Sequence, residues 1–340
     1  MSMRQRFLVL ALWGLALALV AWTLGQLPLG EMLVRLAQLD WQDYLWWSLT
    51  NVLILALAVK RWQVLAFALH ANLGMSWLFR LRQAGGAVSF ITPGPQFGGE
   101  PLQLFWLNRH ARLPLHQAIA VLGLDRLLET GTNIAVLLAG VLLMVGTAIM
   151  PVALWLLVAA VLLLILGALV TTTLVVIHHP GWLAERFRRI ASHWQSDKPP
   201  EGNTAGWEQL AALLRQAVVQ ERPRLWLASG LAIAGWGLLL FELLLLLRFL
   251  GLSVTVADLI LIMLGMRLAM LLPAPGGIGT VEASLFWSFS FLGLPLSAAA
   301  GVIALTRLRD VVILLIGLGC LAGLQRPFAR RNKTPAANGI

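Results

Sequence analysis

Pro93-Gly94-Pro95-Gln96-Phe97-Gly98-Gly99-Glu100 and Pro275-Gly276-Gly277-Ile278-Gly279-Thr280-Val281-Glu282 are two versions of one stretch. Each opens on Pro-Gly, runs through further glycine and closes on a glutamate. Each interrupts an apolar segment long enough to cross a bilayer. An arginine follows each glutamate at nearly the same distance, Arg126 after 26 residues and Arg307 after 25. Proline removes a backbone donor and clashes with the preceding turn, so neither segment can remain one continuous helix. Two such breaks, each with an acid and a delayed arginine, imply an internal repeat built around a shared site.

The surrounding composition sets the solvent. The 340 residues are 59% apolar and 12% charged, against about 25% charged in an ordinary soluble domain. Runs such as 152–177 and 225–247 are long enough to span a hydrocarbon core of about 30 Å. The chain therefore reads as an all-α polytopic membrane protein. Cys320 is alone, so no disulfide within the chain and no thiol motif can form. An inert Cys320 in an apolar run is expected. The net charge of +10 would suit nucleic acid, but the positions of the charges argue against such a partner.

In chain order, residues 7–24 read as an uncleaved first helix, because the apolar run is long for a signal peptide and no small-residue cleavage site follows. An outer loop to residue 43 leads to Trp41, Tyr44, Trp46 and Trp47, an expected aromatic belt at headgroup level. Helix 2 begins there and passes Lys60-Arg61-Trp62. A broken hairpin is expected over 84–107, flanked by Arg80 and Arg82 on one side and Arg109 and Arg112 on the other. Helix 3 covers 116–147 and carries Asp125, Arg126 and Glu129. Helix 4 follows Pro151. The stretch 178–224 holds seven basic residues and reads as two amphipathic surface helices, 182–194 and 207–220, around a loop. Helix 5 spans 225–250, a second broken hairpin 259–292, and helix 6 spans 297–324 with Arg307, Arg309 and Asp310. A basic tail, 325–340, closes the chain.

Six full helices and two re-entrant hairpins place most of the 25 Lys and Arg on one side, the cytoplasmic one, with both termini. This accounts for the high isoelectric point without nucleic acid. The same count makes repeat A (44–147) and repeat B (225–324) opposite in orientation, joined by 148–224. Paired interrupted segments in two inverted halves point to a transporter's central site near the midplane.

Irregular backbone at membrane depth must be satisfied by protein or a water-filled cavity. The expected loop residues are Pro93, Gly94, Gly98 and Gly99 in one hairpin, and Pro275, Gly276, Gly277 and Gly279 in the other. Glu100 and Glu282 start the second half-helices, where an acid suits the positive helix end. They read either as simple caps or as proton carriers or partners of arginine, since intramembrane ionisable groups usually pair. Asp125 and Glu129 share a helix face, and Arg307 can reach Asp310. These charges either staple helices together or, in the sharper reading, present Arg126 and Arg307 to an anionic headgroup, for which arginine's planar fork is suited. Arg267 and Arg309 are secondary candidates, and Glu242 is a minor one. His178 and His179 suit a surface role better than a metal. No metalloprotease helix, phosphate loop, activated nucleophile or cofactor fingerprint is visible, so neither enzyme chemistry nor a cofactor is expected.

The ordered set Lys60-Arg61-Trp62, Pro93–Glu100, Asp125-Arg126-Leu127-Leu128-Glu129 and Pro275-Gly276-Gly277-Ile278-Gly279 with Glu282 and Arg307 resembles the transmembrane part of lysylphosphatidylglycerol synthase/flippase proteins. The resemblance covers about 60–324. Some members carry a soluble domain that attaches lysine to phosphatidylglycerol, and only 16 residues follow helix 6 here, so the stand-alone flippase-like module is what the resemblance implies. Pro95-Gln96-Phe97 departs from the family's Gly-Arg-type filling, which leaves the headgroup open. The resemblance implies a lipid flippase of the bacterial inner membrane acting on an anionic phospholipid or polyprenyl-linked lipid, alone or as a homo-oligomer. A secondary transporter of a small soluble anion, a membrane glycosyl or lipid transferase using the basic loop, and a structural partner subunit remain open from the residues alone.

Overall fold

The computed structural model describes residues 30, 34, 37, 39–91, 98–147, 151–178, 203–272 and 277–324. The expected first helix, the surface helix 182–194, His179, the basic tail, and Pro93, Gly94, Pro275 and Gly276 lie outside the described residues. Ten helices and no strand occur among them: α1 (Trp41–Ala68), α2 (Met75–Ile91), α3 (Glu100–Arg109), α4 (Leu115–Met144), α5 (Val152–His178), α6 (Asn203–Gln220), α7 (Arg222–Phe249), α8 (Val256–Ala269), α9 (Thr280–Phe291) and α10 (Leu296–Leu324). Four of these, α1, α4, α5 and α7, are long and apolar enough to cross a membrane. α10 is as long, but Arg307, Arg309 and Asp310 interrupt its apolar run.

Both expected breaks are present as pairs of half-helices, α2 with α3 and α8 with α9. The bounds differ from expectation in an informative way. α2 begins at Met75, so Arg80 and Arg82 lie within the first arm and do not flank it. α1 likewise runs on to Ala68, which carries Arg61 into the protein interior. α8 begins at Val256 because Thr255 and Asp258 form a reciprocal cap: the Asp258 N–H donates to Thr255 Oγ1 at 3.2 Å, and the Thr255 N–H donates to Asp258 Oδ2 at 2.9 Å.

Backbone chemistry explains the glycines at the breaks. Gly279, ahead of α9, has φ +82°, a conformation that costs glycine little and other residues more. Gly99, ahead of α3, lies so close to α2 that a Cβ there would strike the Gly85 carbonyl oxygen. Its own N–H donates to Ser89 Oγ at 2.9 Å, which ties the break to the first arm.

The halves interlock. α1 packs along α7 and α2 along α10, so each half contributes one helix to each of the two most extensive helix pairs. Two apolar cores result. One gathers Trp62, Leu81, Leu107, Val121 and Leu318; the other gathers Leu137, Leu247, Ile262, Phe289 and Val302. α4 enters the first core at Ala118–Leu122, carries its charges at 125–129, and enters the second core from Ile134. α10 meets the same cores in the reverse order, with its charges again between them. The charged residues thus form a layer between two dry cores. Burial of this kind requires pairing, because an isolated ion in an apolar interior costs many kcal/mol.

Two peripheral details depart from expectation. Trp41 and Trp46 are exposed, as a belt requires, whereas Trp47 is buried and serves the charged layer. α6 matches the second expected surface helix, and its Leu210, Leu214 and Ala217 pack into the first core. Arg215 of α6 donates to the Ile177 and His178 carbonyls at 2.6 and 3.3 Å, satisfying the last turn of α5.

Candidate functional site

The two repeated stretches build the same contact set. In the first, Glu100 accepts from the Gly98 N–H at 2.8 Å and lies 3.3 Å from Arg126 Nε; Arg126 Nη1 also donates to Glu129 at 3.1 Å. In the second, Glu282 accepts from the Gly279 N–H at 2.8 Å and from Arg307 Nε at 2.6 Å; Arg307 Nη1 donates to Asp310 at 3.0 Å. Each glutamate therefore serves both readings open in the sequence at once. It holds the turn that starts its half-helix, and it binds the delayed arginine.

The settings then diverge. Asp125, 1% exposed, and Glu129 form a pair of acids on one face of α4. Arg61 reaches Asp125 at 2.9 Å and Glu129 at 3.1 Å. Arg82 reaches Asp125 at 3.0 Å and Glu129 at 2.7 Å. Arg126 thus shares Glu129 with two arginines from other helices. Sequence reasoning placed Arg61 and Arg82 at a membrane surface. The signal that assigns them inward is the unpaired acid: two carboxylates on one face with one neighbouring arginine need further cations.

Around the second stretch, Arg307 is enclosed. Its guanidinium is spent on Glu282, Asp310 and the Gly277 carbonyl, the last at 3.3 Å. It does not line the central cavity. Arg309, two residues further on, turns the other way and donates to both oxygens of Glu242 at 3.1 and 3.0 Å. Glu242, ranked low from sequence, is 3% exposed and also accepts from Trp47 Nε1 at 3.2 Å and Asn51 Nδ2 at 3.0 Å. Arg267 stands apart. Its guanidinium lies over the Trp236 ring at 5.0 Å, and among the described residues no carboxylate lies within ion-pair distance of it.

A cavity opens against these groups in two adjoining lobes of about 350 and 540 Å³, within the usual range for small-ligand sites. Arg82, Arg126, Glu129 and Arg267 line both lobes. Gly277, Arg309 and Asp310 line the smaller, and Glu100 the larger. Of the residues expected at the site, Arg126, Glu129, Glu100, Asp310 and Arg267 therefore reach the cavity. Asp125, Arg307 and Glu282 stand behind it, and Gly98 and Gly99 serve the turn. No group of three or more metal-ligating His, Cys, Asp or Glu residues occurs among the described residues.

The family model of the lysylphosphatidylglycerol synthase TM region matches residues 7–317. The chain belongs to this family. A UPF0104 membrane protein from Methanothermobacter thermautotrophicus strain Delta H is 33% identical over 78 residues, a match that spans 23% of each chain. No solved structure matches. The family's membrane region accounts for the helical architecture and for a multi-pass membrane location. It covers both repeated stretches and every arginine and acid of the charged layer.

Proposed function

We propose that this member of the lysylphosphatidylglycerol synthase TM-region family is a flippase-like transporter that moves an anionic phospholipid or lipid-linked headgroup across the inner membrane. The observation that carries the reading is the cavity between the two broken hairpins. Five arginines line it, and Arg267 among them has no carboxylate partner among the described residues. Arginine in an apolar span is expensive and marks a substrate path by default. The opposite order in which α4 and α10 meet the two cores supports an inverted repeat, with the hairpins entering from opposite sides; the bias of Lys and Arg to one side supports cytoplasmic termini. Rocking of one half against the other would expose the cavity alternately to the two leaflets.

The test is translocation by the purified protein in liposomes carrying fluorescent phospholipids, read by dithionite quenching of the outer leaflet. Transport that falls at least tenfold in Arg126→Gln or Arg267→Gln supports the reading. Unchanged transport in both variants, or none with any lipid from protein that melts cooperatively, removes it. Efflux of a soluble anion from the same vesicles would put the second reading in its place.

A further inference from the structure

The charges between the two cores separate by half of the chain. α1–α4 supply Arg61, Arg82 and Arg126 against Glu100, Asp125 and Glu129. α7–α10 supply Arg267, Arg307 and Arg309 against Glu242, Glu282 and Asp310. Among the described residues each set is balanced, three charges of each sign. The neighbouring Lys60 and Arg80 are exposed and lie outside this set. Each of these arginine–carboxylate pairs also closes within its own half. Glu242 of α7 is reached across the boundary by neutral donors, Trp47 and Asn51 of α1, at 3.2 and 3.0 Å.

A rocking motion of one half against the other therefore breaks none of these pairs. A balanced half also carries no net charge through the membrane field as it turns. Arginine stays protonated in proteins, and each of the six acids holds at least one arginine. A proton taken up by any of them strands a cation at membrane depth, where an unpaired charge is expensive. Glu129 is the most open of the six, its side chain 35% exposed, and it holds three arginines. One reading of the sequence made Glu100 and Glu282 proton carriers. Each is held between a turn N–H and an arginine. The charge left for the field to act on is that of the lipid itself.

Resting on the flippase reading, we propose that transport is an electrogenic uniport driven by the membrane potential. The potential acts on the headgroup's own charge, and no proton crosses with it. An inside-negative membrane then drives an anionic lipid from the cytoplasmic to the outer leaflet. One charge crossing a potential of 100 mV shifts its equilibrium distribution between the leaflets about fifty-fold.

The experiment uses the purified full chain in phosphatidylcholine liposomes with a trace of fluorescent phosphatidylglycerol as the anionic probe. Dithionite quenching reads the share of probe in the outer leaflet. A potassium gradient with valinomycin sets the interior negative by about 100 mV. Equal potassium with valinomycin holds the potential at zero while a pH gradient is imposed. The expected result is a shift of the probe toward the outer leaflet, at least tenfold relative to zero potential. Reversing the potassium gradient should reverse the shift, and the pH gradient alone should leave the distribution unchanged. Redistribution by the pH gradient at zero potential overturns the proposal, and its loss in Glu129→Gln would identify the proton carrier. Lipid movement that answers to neither gradient also overturns the proposal and leaves the flippase reading standing. No lipid movement under any condition, from protein that melts cooperatively, removes the flippase reading and this inference with it.

Discussion

Arg307 Nη2 lies 2.5 Å from Glu282 Oε1, and the two residues stand 25 apart in the chain. The pair joins the middle of α10 to the first turn of α9, across the second break. With Asp310 and the Gly277 carbonyl it leaves no face of the guanidinium for a ligand. Its counterpart, Arg126 with Glu100, is looser, and the Arg126 side chain is 27% exposed toward the cavity. One repeated element has thus taken two duties, a pin in one half and a cavity wall in the other.

Stability and transport should therefore separate between the two arginines. Removing one member of a buried ion pair typically costs about 3–5 kcal/mol, because the other charge is left unpaired. Arg307→Gln should lower the melting temperature and yield in detergent, with transport lost through misfolding. Arg126→Gln should keep most of its stability and lose transport. Melting curves of the two variants beside their lipid flux would decide this. Equal stability would show that Arg307 is not the pin.

Glu242 anchors three groups that sequence could not connect: Arg309 on α10, and Trp47 and Asn51 on α1. Glu242→Gln retains the shape but removes the charge that holds Arg309, which keeps only the longer contact to Asp310 at 3.4 Å. A loss of about 3 kcal/mol is expected, measured by denaturation in mild detergent. Glu242→Gln combined with Arg309→Gln should recover part of that loss. No recovery would mean that Glu242 acts through Trp47 and Asn51 alone.

Gly99→Ala tests the close approach of the first break to α2. The added methyl meets the Gly85 carbonyl, which is backbone and cannot swing aside. Overpacking of this kind costs about 1–3 kcal/mol. Gly74→Ala, where a Cβ meets nothing within 4 Å, is the matched control. A melting temperature that falls with the first and not the second is expected.

Much of the fold was legible because the bilayer imposes simple rules. Apolar length gave four spans among the described residues, α1, α4, α5 and α7, and Pro-Gly steps gave the breaks at Gly98 and Gly279. The spacing of Glu100 to Arg126 and of Glu282 to Arg307 gave two contacts that the structure contains. What stayed hidden depends on helix rotation and on which helices become neighbours. Arg61 and Arg82 look like surface arginines because each has a basic residue beside it, Lys60 or Arg80. Only the packing of α1 and α2 around α4 brings them to Asp125 and Glu129. The positive-inside rule counts charge near helix ends and cannot tell a snorkelling arginine from one that faces a carboxylate. The difference between Arg307 and Arg309 is a matter of helix face, and two residues of spacing turn one to the pin and the other to the cavity.

The same packing yields a prediction about coupling. Asp125 is 1% exposed and accepts from Arg61 and Arg82 at 2.9 and 3.0 Å, so α1, α2 and α4 meet at one carboxylate. Asp125→Asn leaves three arginines, Arg61, Arg82 and Arg126, sharing Glu129. Arg61→Gln alone leaves Asp125 with Arg82, and is the milder change. If the three helices are locked through this acid, the double variant should be less destabilised than the sum of the single ones. Groups in direct contact couple by about 0.5–3 kcal/mol, and a value in that range is expected from a denaturation cycle. Additive losses would show that Asp125 and Arg61 act independently. The junction of α1, α2 and α4 would then be held by Trp62, Val121 and their apolar neighbours, with the charges contributing nothing to the choice of partner.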